Sequence, residues 1–143
     1  MQVRPYQSGD EEAVIALWQR CELVRPQNDP RKDIARKQRV QPELFLVAMD
    51  EQQQIIGSVM CGYEGHRGWI NYLAVDLAHR RCGLGRALMA EAERVLRAAG
   101  CPKINLQVRS SNAAVIAFYV AIGFAQDDVV SMGKRLERDE TVQ

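Results

Sequence analysis

One stretch near the middle of the chain, residues 73–88, constrains the fold most strongly. It begins with an apolar run typical of a buried strand, continues through a loop rich in arginine and glycine, and ends in the start of an amphipathic helix. The first N–H groups of a helix have no partner within the helix, and the helix dipole adds positive potential there. The sequence therefore predicts a strand–loop–helix unit whose loop can bind an anion.

The residue types of this loop favour a phosphate-bearing ligand. Arginine side chains suit phosphate oxygens, and a glycine has no Cβ to keep a ligand away from the backbone. We predict a diphosphate-binding loop that comprises Arg80, Arg81, Cys82, Gly83, Leu84, Gly85 and Arg86. The alternative is a surface turn with solvated arginines.

Two common nucleotide-binding motifs do not fit this loop. A dinucleotide fingerprint needs a third glycine where Leu88 stands, and an acidic residue about twenty positions later, where the chain has Lys103-Ile104-Asn105. A P-loop needs Gly-Lys followed by Ser or Thr, and the chain has no such run. The loop therefore indicates a phosphate-bearing ligand of another kind.

Composition limits the protein class. The chain has 143 residues, 47% of them hydrophobic and 26% charged, so we expect one globular domain over residues 1–143. A net charge of +1 gives no general attraction to nucleic acid or to an anionic membrane. We expect no metal site, because the four cysteines form no Cys-x-x-Cys pair and there are only two histidines. Without a signal-peptide or membrane-spanning pattern, the expected location is cytoplasmic.

Hydrophobic periodicity and turn residues predict the order of the elements. The expected elements are a strand at 3–5, a helix after a Ser8–Glu11 capping box, a solvated helix at 29–38, strands at 44–48, 55–63 and 69–75, a helix at 83–99, a strand at 103–108, a helix at 113–122, late strand candidates at Phe124 and 129–132, and a frayed end at 137–143. This order predicts an α/β fold with a single mixed central sheet and helices on both faces.

A second motif lies further along the chain: Asn112, then Ala117-Phe118-Tyr119, then Gly123-Phe124. Together with Arg80-Arg81-Cys82-Gly83-Leu84-Gly85, it resembles the paired acyl-CoA motifs of the GNAT N-acetyltransferases, in their usual order and separation. Residues 73–124 resemble the ribosomal-protein alanine N-acetyltransferases, and residues 21–37 resemble the small YpeA-type members. The resemblance covers nearly the whole chain.

This resemblance implies a GNAT fold in which the two strands flanking the acyl-CoA loop splay apart. The pantetheine arm of acetyl-CoA would lie in the gap, against the backbone of Leu73, Ala74 and Val75. An amide-bearing arm can satisfy the backbone groups that a splayed sheet leaves open. The pyrophosphate would lie on the arginine–glycine loop, and Asn112 and Tyr119 would complete the cofactor site.

The implied reaction is direct attack of a primary amine on the acetyl thioester in a ternary complex. An amine must lose its proton to attack, and the leaving thiolate is helped by a proton donor. Tyr119 stands at the family's donor position, whereas without the motif an aromatic residue packed on the sheet would be the simpler interpretation.

The general base does not follow from the resemblance. Relatives carry glutamates at the positions of Gln107 and Trp69, and a neutral glutamine cannot act as a base. Glu64 and His66 are the nearest ionisable candidates. The alternatives are that both are solvated loop residues and that a water relay removes the proton.

The loop between the two early helices is expected to contact the acceptor, with Glu22, Arg25 and Asn28 as candidates. Asn28 can equally serve to cap the following helix. The acceptor is expected to be a small-molecule amine or a peptide amine, either a protein N-terminus or a lysine. Nucleic-acid and membrane partners are not expected, and the chain is a monomer or homodimer. An acyl-CoA-binding module with little or no turnover is the alternative from another class.

Overall fold

The computed structural model describes residues 1–139. Its helices and strands are β1 Gln2–Pro5, α1 Glu11–Arg20, α2 Pro30–Lys37, β2 Phe45–Met49, β3 Ile55–Tyr63, β4 Gly68–Val75, α3 Leu84–Ala98, β5 Ile104–Leu106 and α4 Ala113–Ala121. Short 3₁₀ turns precede α1 and β2, and a third, Leu77–His79, follows β4. The predicted order of elements up to α4 is confirmed.

The strands form one five-stranded sheet in the order β1-β2-β3-β4-β5. The first three pairs are antiparallel, and β4 pairs with β5 in parallel. Buried residues of α3 and α4 pack on one face of the sheet, and those of α1 and α2 pack on the other. The predicted mixed sheet with helices on both faces is confirmed.

The two early helices differ in detail from the sequence expectation. The predicted Ser8–Glu11 capping box does not form, because a 3₁₀ turn at Ser8–Asp10 moves the start of α1 to Glu11. Asp10 instead accepts the N–H of Gln7 at 2.8 Å. The helix α2 is less solvated than its charges suggest, because Lys37 is buried and its ammonium donates to the Cys61 carbonyl. Burial lowers the pKa of Lys37.

The C-terminal part of the chain differs more from the sequence expectation than the early helices do. Strand β5 covers three residues rather than 103–108, and the candidates at Phe124 and 129–132 are not strands. The C-terminal segment, residues 125–139, has no regular secondary structure and crosses to α2. There the Asp139 carboxylate binds the Arg36 guanidinium at 2.6 Å, so this part of the predicted frayed end is anchored. Residues 140–143 lie outside the described residues.

A row of aromatic rings forms the core beneath α1. Tyr6 stacks on Phe45 at 4.6 Å between centroids, and Trp18 stacks on Tyr72 at 3.8 Å. The Trp18 indole donates to the Ser58 hydroxyl at 2.9 Å, and that hydroxyl donates to the Tyr72 carbonyl at 2.8 Å. Because Ser58 and Trp18 are fully buried, these hydrogen bonds fix α1, β3 and β4 to one another.

The hydroxyl of Ser58 lies opposite a bulge in β4. Ser58 pairs with Ala74 while Met60 pairs with Asn71, so β4 carries one extra residue, and Tyr72 adopts a φ of 51°. Pairing of β4 with β5 ends at Ile70 on β4, just before the bulge. The bulge increases the local twist, and the remainder of β4 diverges from β5.

We expect Ser58→Ala to destabilise the fold by about 2 kcal/mol, because the buried Trp18 N–H and Tyr72 carbonyl would both lose their partner. Urea unfolding followed by circular dichroism measures this. The control is Ser8→Ala at an exposed position, which should change stability by less than about 0.5 kcal/mol. Equal stability of the two variants would contradict the structural importance of the Ser58 hydrogen bonds.

Candidate functional site

Within residues 1–139, β4 has no strand partner on its β5 side beyond Ile70, and we call this open side of the strand the cleft. Strand β4 continues for five residues beyond Ile70, from Asn71 to Val75, with no β5 residue paired to it. The Val75 carbonyl receives side-chain donors instead, from Cys21 and from Arg80, each at 3.3 Å. A cleft bounded by strand backbone fits an extended, amide-bearing chain, which is the character of a pantetheine arm.

The loop between β4 and α3 contains two residues in the left-handed backbone conformation. Arg81 has a φ of 69° and Gly83 a φ of 82°, and Gly83 is the N-cap of α3. The Ala87 N–H donates to the Gly83 carbonyl at 3.0 Å. By helix geometry the preceding N–H groups, those of residues 84–86, have no partner within the helix. They lie at the open end of the cleft, where the helix dipole favours an anion.

Positive side chains surround this helix end. Arg80, Arg81 and Arg86 are exposed, and within residues 1–139 none of them forms an ion pair. Cys82 is also exposed, and its thiol donates to the His79 carbonyl. Uncompensated charge beside free N–H groups suits a diphosphate, so the residues present fit the phosphate end of acetyl-CoA.

The two glycines of the loop serve different purposes. A Cβ on Gly83 would meet no atom within 4 Å, so its conformation and the open space before it leave room for a ligand. A Cβ on Gly85 would lie 3.3 Å from the Phe118 ring. Gly85 therefore permits close packing of α3 against α4, whereas the sequence alone suggested ligand approach for both glycines.

Tyr119 is buried in α4, with 8% of its surface exposed. Its ring packs edge-on against Phe118 and Phe124, with centroids 5.2 and 5.5 Å away. Burial raises the pKa of Tyr119 to about 12, so the phenol is protonated at neutral pH and can donate a hydrogen bond. Asn112 caps α4 by accepting the Val115 N–H at 3.3 Å, which fixes the start of the helix that carries Tyr119. A contact of Asn112 with the cofactor stays a prediction.

On β4 and β5, the face of the sheet that points away from α3 extends beyond the edge of α1 and α2. We call this part of the face the floor. Ile70 packs into the cluster under α3, so its neighbours along the strand point to the other face. The floor residues are Trp69, Asn71, Asn105 and Gln107. Trp69 is 38% exposed, and none of the four side chains is ionisable at neutral pH. The floor offers hydrogen-bonding groups and an aromatic surface but no general base.

Glu64 and His66 lie in the turn between β3 and β4, at the end of β4 opposite the cleft. At 3.3 Å per residue, His66 is about 23 Å along the chain from Leu73 and about 10 Å from Trp69 in the floor. The Glu64 carboxylate accepts the backbone N–H groups of Arg67 and His66, which lowers the pKa of Glu64 and weakens it as a base. Their assignment as the base stays a prediction that this placement does not favour.

The acceptor-loop candidates lie in the loop between α1 and α2. Glu22, with a φ of 58°, and Arg25 are exposed. Asn28 accepts a hydrogen bond from Arg135 at 2.6 Å, so the loop is tied to the C-terminal segment. The Asp29 N–H also donates to the Asp139 carboxylate, at 2.9 Å.

A polar network that the sequence interpretation missed connects the bulge to this loop. The Tyr72 hydroxyl donates to Asp33 at 2.6 Å, and Arg36 bonds both Asp33 and Asp139. The Arg36 guanidinium holds the pKa of Asp139 well below its usual range. The i, i+3 spacing of Asp33 and Arg36 in the sequence could have predicted the ion pair between these two residues. The other partners are 39 and 103 residues apart in sequence.

Within residues 1–139, no group of three or more His, Cys, Asp or Glu residues is arranged to hold a metal ion. The helices of the same part of the chain are all too short or too polar to cross a membrane.

Comparison with known proteins agrees with this geometry. The model of the acetyltransferase (GNAT) family matches residues 11–124. An acetyltransferase of Pectobacterium atrosepticum is 48% identical over 139 residues, covering 97% of this chain and 98% of that protein. Its curated name states no acceptor.

Solved structures share the fold. Ard1 from Thermoplasma volcanium matches with a TM-score of 0.76 and 26% identity, covering 87% of this chain and 82% of that one. The ribosomal-protein-S18-alanine N-acetyltransferase from Escherichia coli matches with a TM-score of 0.74 and 23% identity, covering 88% of this chain and 78% of that one. The chain belongs to the GNAT family of acetyltransferases.

Proposed function

We propose that this N-acetyltransferase moves the acetyl group of acetyl-CoA to a primary amine by direct attack in a ternary complex. The observation that carries the proposal is the cleft between β4 and β5, which ends at the N-terminus of α3 beside three arginines. Bound acetyl-CoA supplies an activated thioester. In this chain, the backbone of Leu73, Ala74 and Val75 would bind the pantetheine amides, and the loop from Arg80 to Arg86 would bind the diphosphate.

Tyr119 is proposed to assist the leaving thiolate. With a pKa of about 12, its phenol is a weaker acid than an ordinary thiol, whose pKa is about 8.5. Complete proton transfer to the thiolate is therefore uphill. The phenol instead stabilises the developing negative charge on sulfur through a hydrogen bond as the C–S bond breaks. This contribution is modest because a thiolate is already a fair leaving group.

The amine is proposed to approach over the floor that contains Trp69 and Gln107. No floor side chain can take a proton, so the amine enters as the free base. After it attacks the acetyl carbon and the C–S bond breaks, the nitrogen releases its extra proton to water in the cleft, and the thiolate leaves. Glu22, Arg25 and Asn28 lie on the loop between α1 and α2 and are proposed to contact the acceptor. The proposal covers small-molecule amines and peptide amines alike as the acceptor.

An acceptor screen tests this function. Release of CoA thiol from acetyl-CoA is measured with small amines, with peptides carrying a free N-terminus, and with N-terminally blocked lysine peptides. Sustained release with at least one class, and an acetylated product by mass spectrometry, is expected. Tight binding of acetyl-CoA with no release above hydrolysis for any amine would instead identify an acyl-CoA-binding module.

Gly83→Val should weaken CoA binding about tenfold or more, because a β-branched side chain disfavours the left-handed conformation and would fill the space before the α3 N-terminus. Calorimetric titration with CoA measures the affinity. Gly100→Val is the matched control, since Gly100 also has a positive φ, 89°, and open space around its Cβ position. Both variants should lose similar stability, and only Gly83→Val should lose affinity. Unchanged CoA affinity in Gly83→Val would refute the loop assignment.

Tyr119→Phe should lower kcat by about tenfold, with little change in KM for acetyl-CoA, because only a transition-state hydrogen bond is removed. Stability should change little, since burial is the only cause of the raised pKa of Tyr119 and no hydrogen-bond partner within residues 1–139 contributes to it. The raised pKa keeps the phenol protonated between pH 7 and 10, so wild type and variant should share one shape of pH profile there. Full kcat in the variant would remove Tyr119 from the mechanism.

Glu64→Gln and His66→Ala should each keep turnover within about twofold of wild type, because both side chains are exposed and the Glu64 carboxylate is occupied by the N–H groups of its own turn. In the wild type, kcat/KM should rise with pH as the free-amine fraction of the acceptor grows. Steady-state kinetics with the best acceptor from the screen measures both. A variant that binds acetyl-CoA normally but has lost turnover would identify the missing residue as the base.

A further inference from the structure

A second cavity lies between α2 and the end of the C-terminal segment, and it shares no residue with the cleft or its floor. Its volume is about 590 Å³. The lining residues are Arg36, Gly133, Lys134, Arg135, Leu136 and Glu137. Pockets that bind small molecules commonly have volumes of about 300–1,000 Å³. Because the lining contains both cations and a carboxylate, its ligand preference depends on which of these charges are already neutralised.

The charge of Arg36 is already neutralised by carboxylates. Its guanidinium binds Asp33 at 3.0 Å and Asp139 at 2.6 Å, and the Glu137 carboxylate lies 3.6 Å away. The hydrogen bond with Asp139 is the main cause of the raised pKa of Arg36. The one carboxylate of the lining therefore pairs with Arg36 and does not compensate the other two cations.

Arg135, in contrast, is held by neutral groups. Its guanidinium donates to the side-chain oxygen of Asn28 at 2.6 Å and to the backbone carbonyl of Glu137 at 3.3 Å. Within residues 1–139, neither Arg135 nor Lys134 forms an ion pair. A guanidinium has five N–H donors, so Arg135 keeps donors for a ligand. The two neutral hydrogen bonds orient the guanidinium without reducing its charge, which prepares it to bind an anion.

A chain of side-chain contacts connects this pocket to the proposed site of acetyl transfer. Arg36 in the pocket wall donates to Asp33 at 3.0 Å, and Asp33 accepts the Tyr72 hydroxyl at 2.6 Å. Tyr72 immediately precedes Leu73, whose backbone is proposed to bind acetyl-CoA. A molecule whose amine lies near Leu73 could therefore extend past Tyr72 and place a second group in the pocket.

We propose that the pocket binds an anionic group, a carboxylate or a phosphate, carried by a small-molecule amine acceptor. This inference rests on the proposed function and adds the chemical class of the acceptor. The anion would accept hydrogen bonds from the Arg135 guanidinium and the Lys134 ammonium, while the amine of the same molecule faces the thioester. Charge-assisted hydrogen bonds are about twice as strong as neutral ones, so these two residues would select anionic acceptors over neutral ones.

The contacts around the pocket favour a small molecule over a peptide as the acceptor. Asn28 and Asp29, at the end of the α1–α2 loop, bond Arg135 and Asp139 of the C-terminal segment at 2.6 and 2.9 Å. The Asp139 side chain is completely buried and also binds Arg36. An extended peptide laid between the loop and the segment would have to break these bonds, whereas a small molecule fits inside the cavity.

Titration with inorganic phosphate tests the pocket without acetyl-CoA or turnover. In a ¹⁵N-labelled sample held at constant ionic strength, the amide signals of residues 133–136 should shift and saturate. The N-terminus of α3 is a separate anion site in this structure and should respond with its own dissociation constant. Phosphate shifts confined to the N-terminus of α3, or shifts at 133–136 that never saturate, would overturn the proposal.

Charge-removing variants identify the residues that hold the anion. Arg135→Gln should weaken phosphate binding at residues 133–136 about tenfold or more, because hydrogen bonds from a charged donor are lost. Lys134→Gln, which leaves the guanidinium in place, should weaken it about threefold. The matched control is Arg39→Gln, which removes the same charge from an exposed position outside the pocket and should leave the affinity unchanged. Equal phosphate affinity in wild type and Arg135→Gln would refute the assignment.

Paired acceptors test whether the pocket selects the substrate and which anion it takes. One pair is γ-aminobutyrate and its amide, and the other is phosphoethanolamine and ethanolamine, compared at equal concentrations of free amine. In the wild type, kcat/KM should be about tenfold higher for the anionic member of one pair, and that pair identifies the anion. Arg135→Gln should abolish the preference by raising KM, with little change in kcat or in the rate with the neutral member.

The two proposals can fail separately. A wild type with no preference in either pair, or a preference that survives in Arg135→Gln, would overturn the selection of anionic acceptors while acetyl transfer itself stands. Saturable phosphate binding that depends on Arg135, in a protein that acetylates no amine, would support the anion pocket and refute the proposed transfer.

Discussion

The rest of the site depends on the hydrogen bonds of the Ser58 hydroxyl, which accepts from Trp18 and donates to the carbonyl of Tyr72. These bonds hold a one-residue bulge in the middle of β4. Before the bulge, Ile70 faces the cluster under α3, and after it Leu73 and Val75 do. One extra residue therefore changes which side chains of β4 face the cluster under α3. The pairing with β5 ends just before it. The bulge in β4 and the end of β5 at Leu106 together mark where the cleft begins.

The bulge also explains why binding groups meet at one end of the sheet. Beyond it, β4 has open backbone on one side and leads directly into the loop at the α3 N-terminus. Backbone groups for an amide chain and N–H groups for a diphosphate thus follow one another along a single strand–loop–helix unit. The proposed acceptor floor lies on the other face of the same strands. Under the proposed function, donor and acceptor would approach from opposite faces and meet where the pairing of β4 with β5 ends, as direct transfer requires.

Local patterns in the sequence predicted the helices, the first four strands and the loop from Arg80 to Arg86, because caps, glycines and periodicity act over short distances. The bulge was not predictable, since residues 69–75 read as one regular strand. Lys37 and the Tyr72–Asp33–Arg36–Asp139 network depend on residues far apart in the chain. Residues 129–132 have the composition of a strand but pair with no strand within residues 1–139, which is why a strand was expected there and an exposed segment without regular secondary structure was found. Glu64 and His66 lie in the turn before β4, and their assignment as the base stays a prediction.

The most direct test of the central claim follows the backbone N–H groups themselves. In a ¹⁵N-labelled sample titrated with acetyl-CoA, the amide signals of Leu73, Val75, Leu84 and Gly85 should shift together, at one dissociation constant. Signals of the β3–β4 turn around Gly65, at the opposite end of β4, should remain in place. Saturating shifts confined to residues outside β4 and the α3 N-terminus would contradict the account, because acetyl-CoA would then bind somewhere other than the cleft that begins at the bulge.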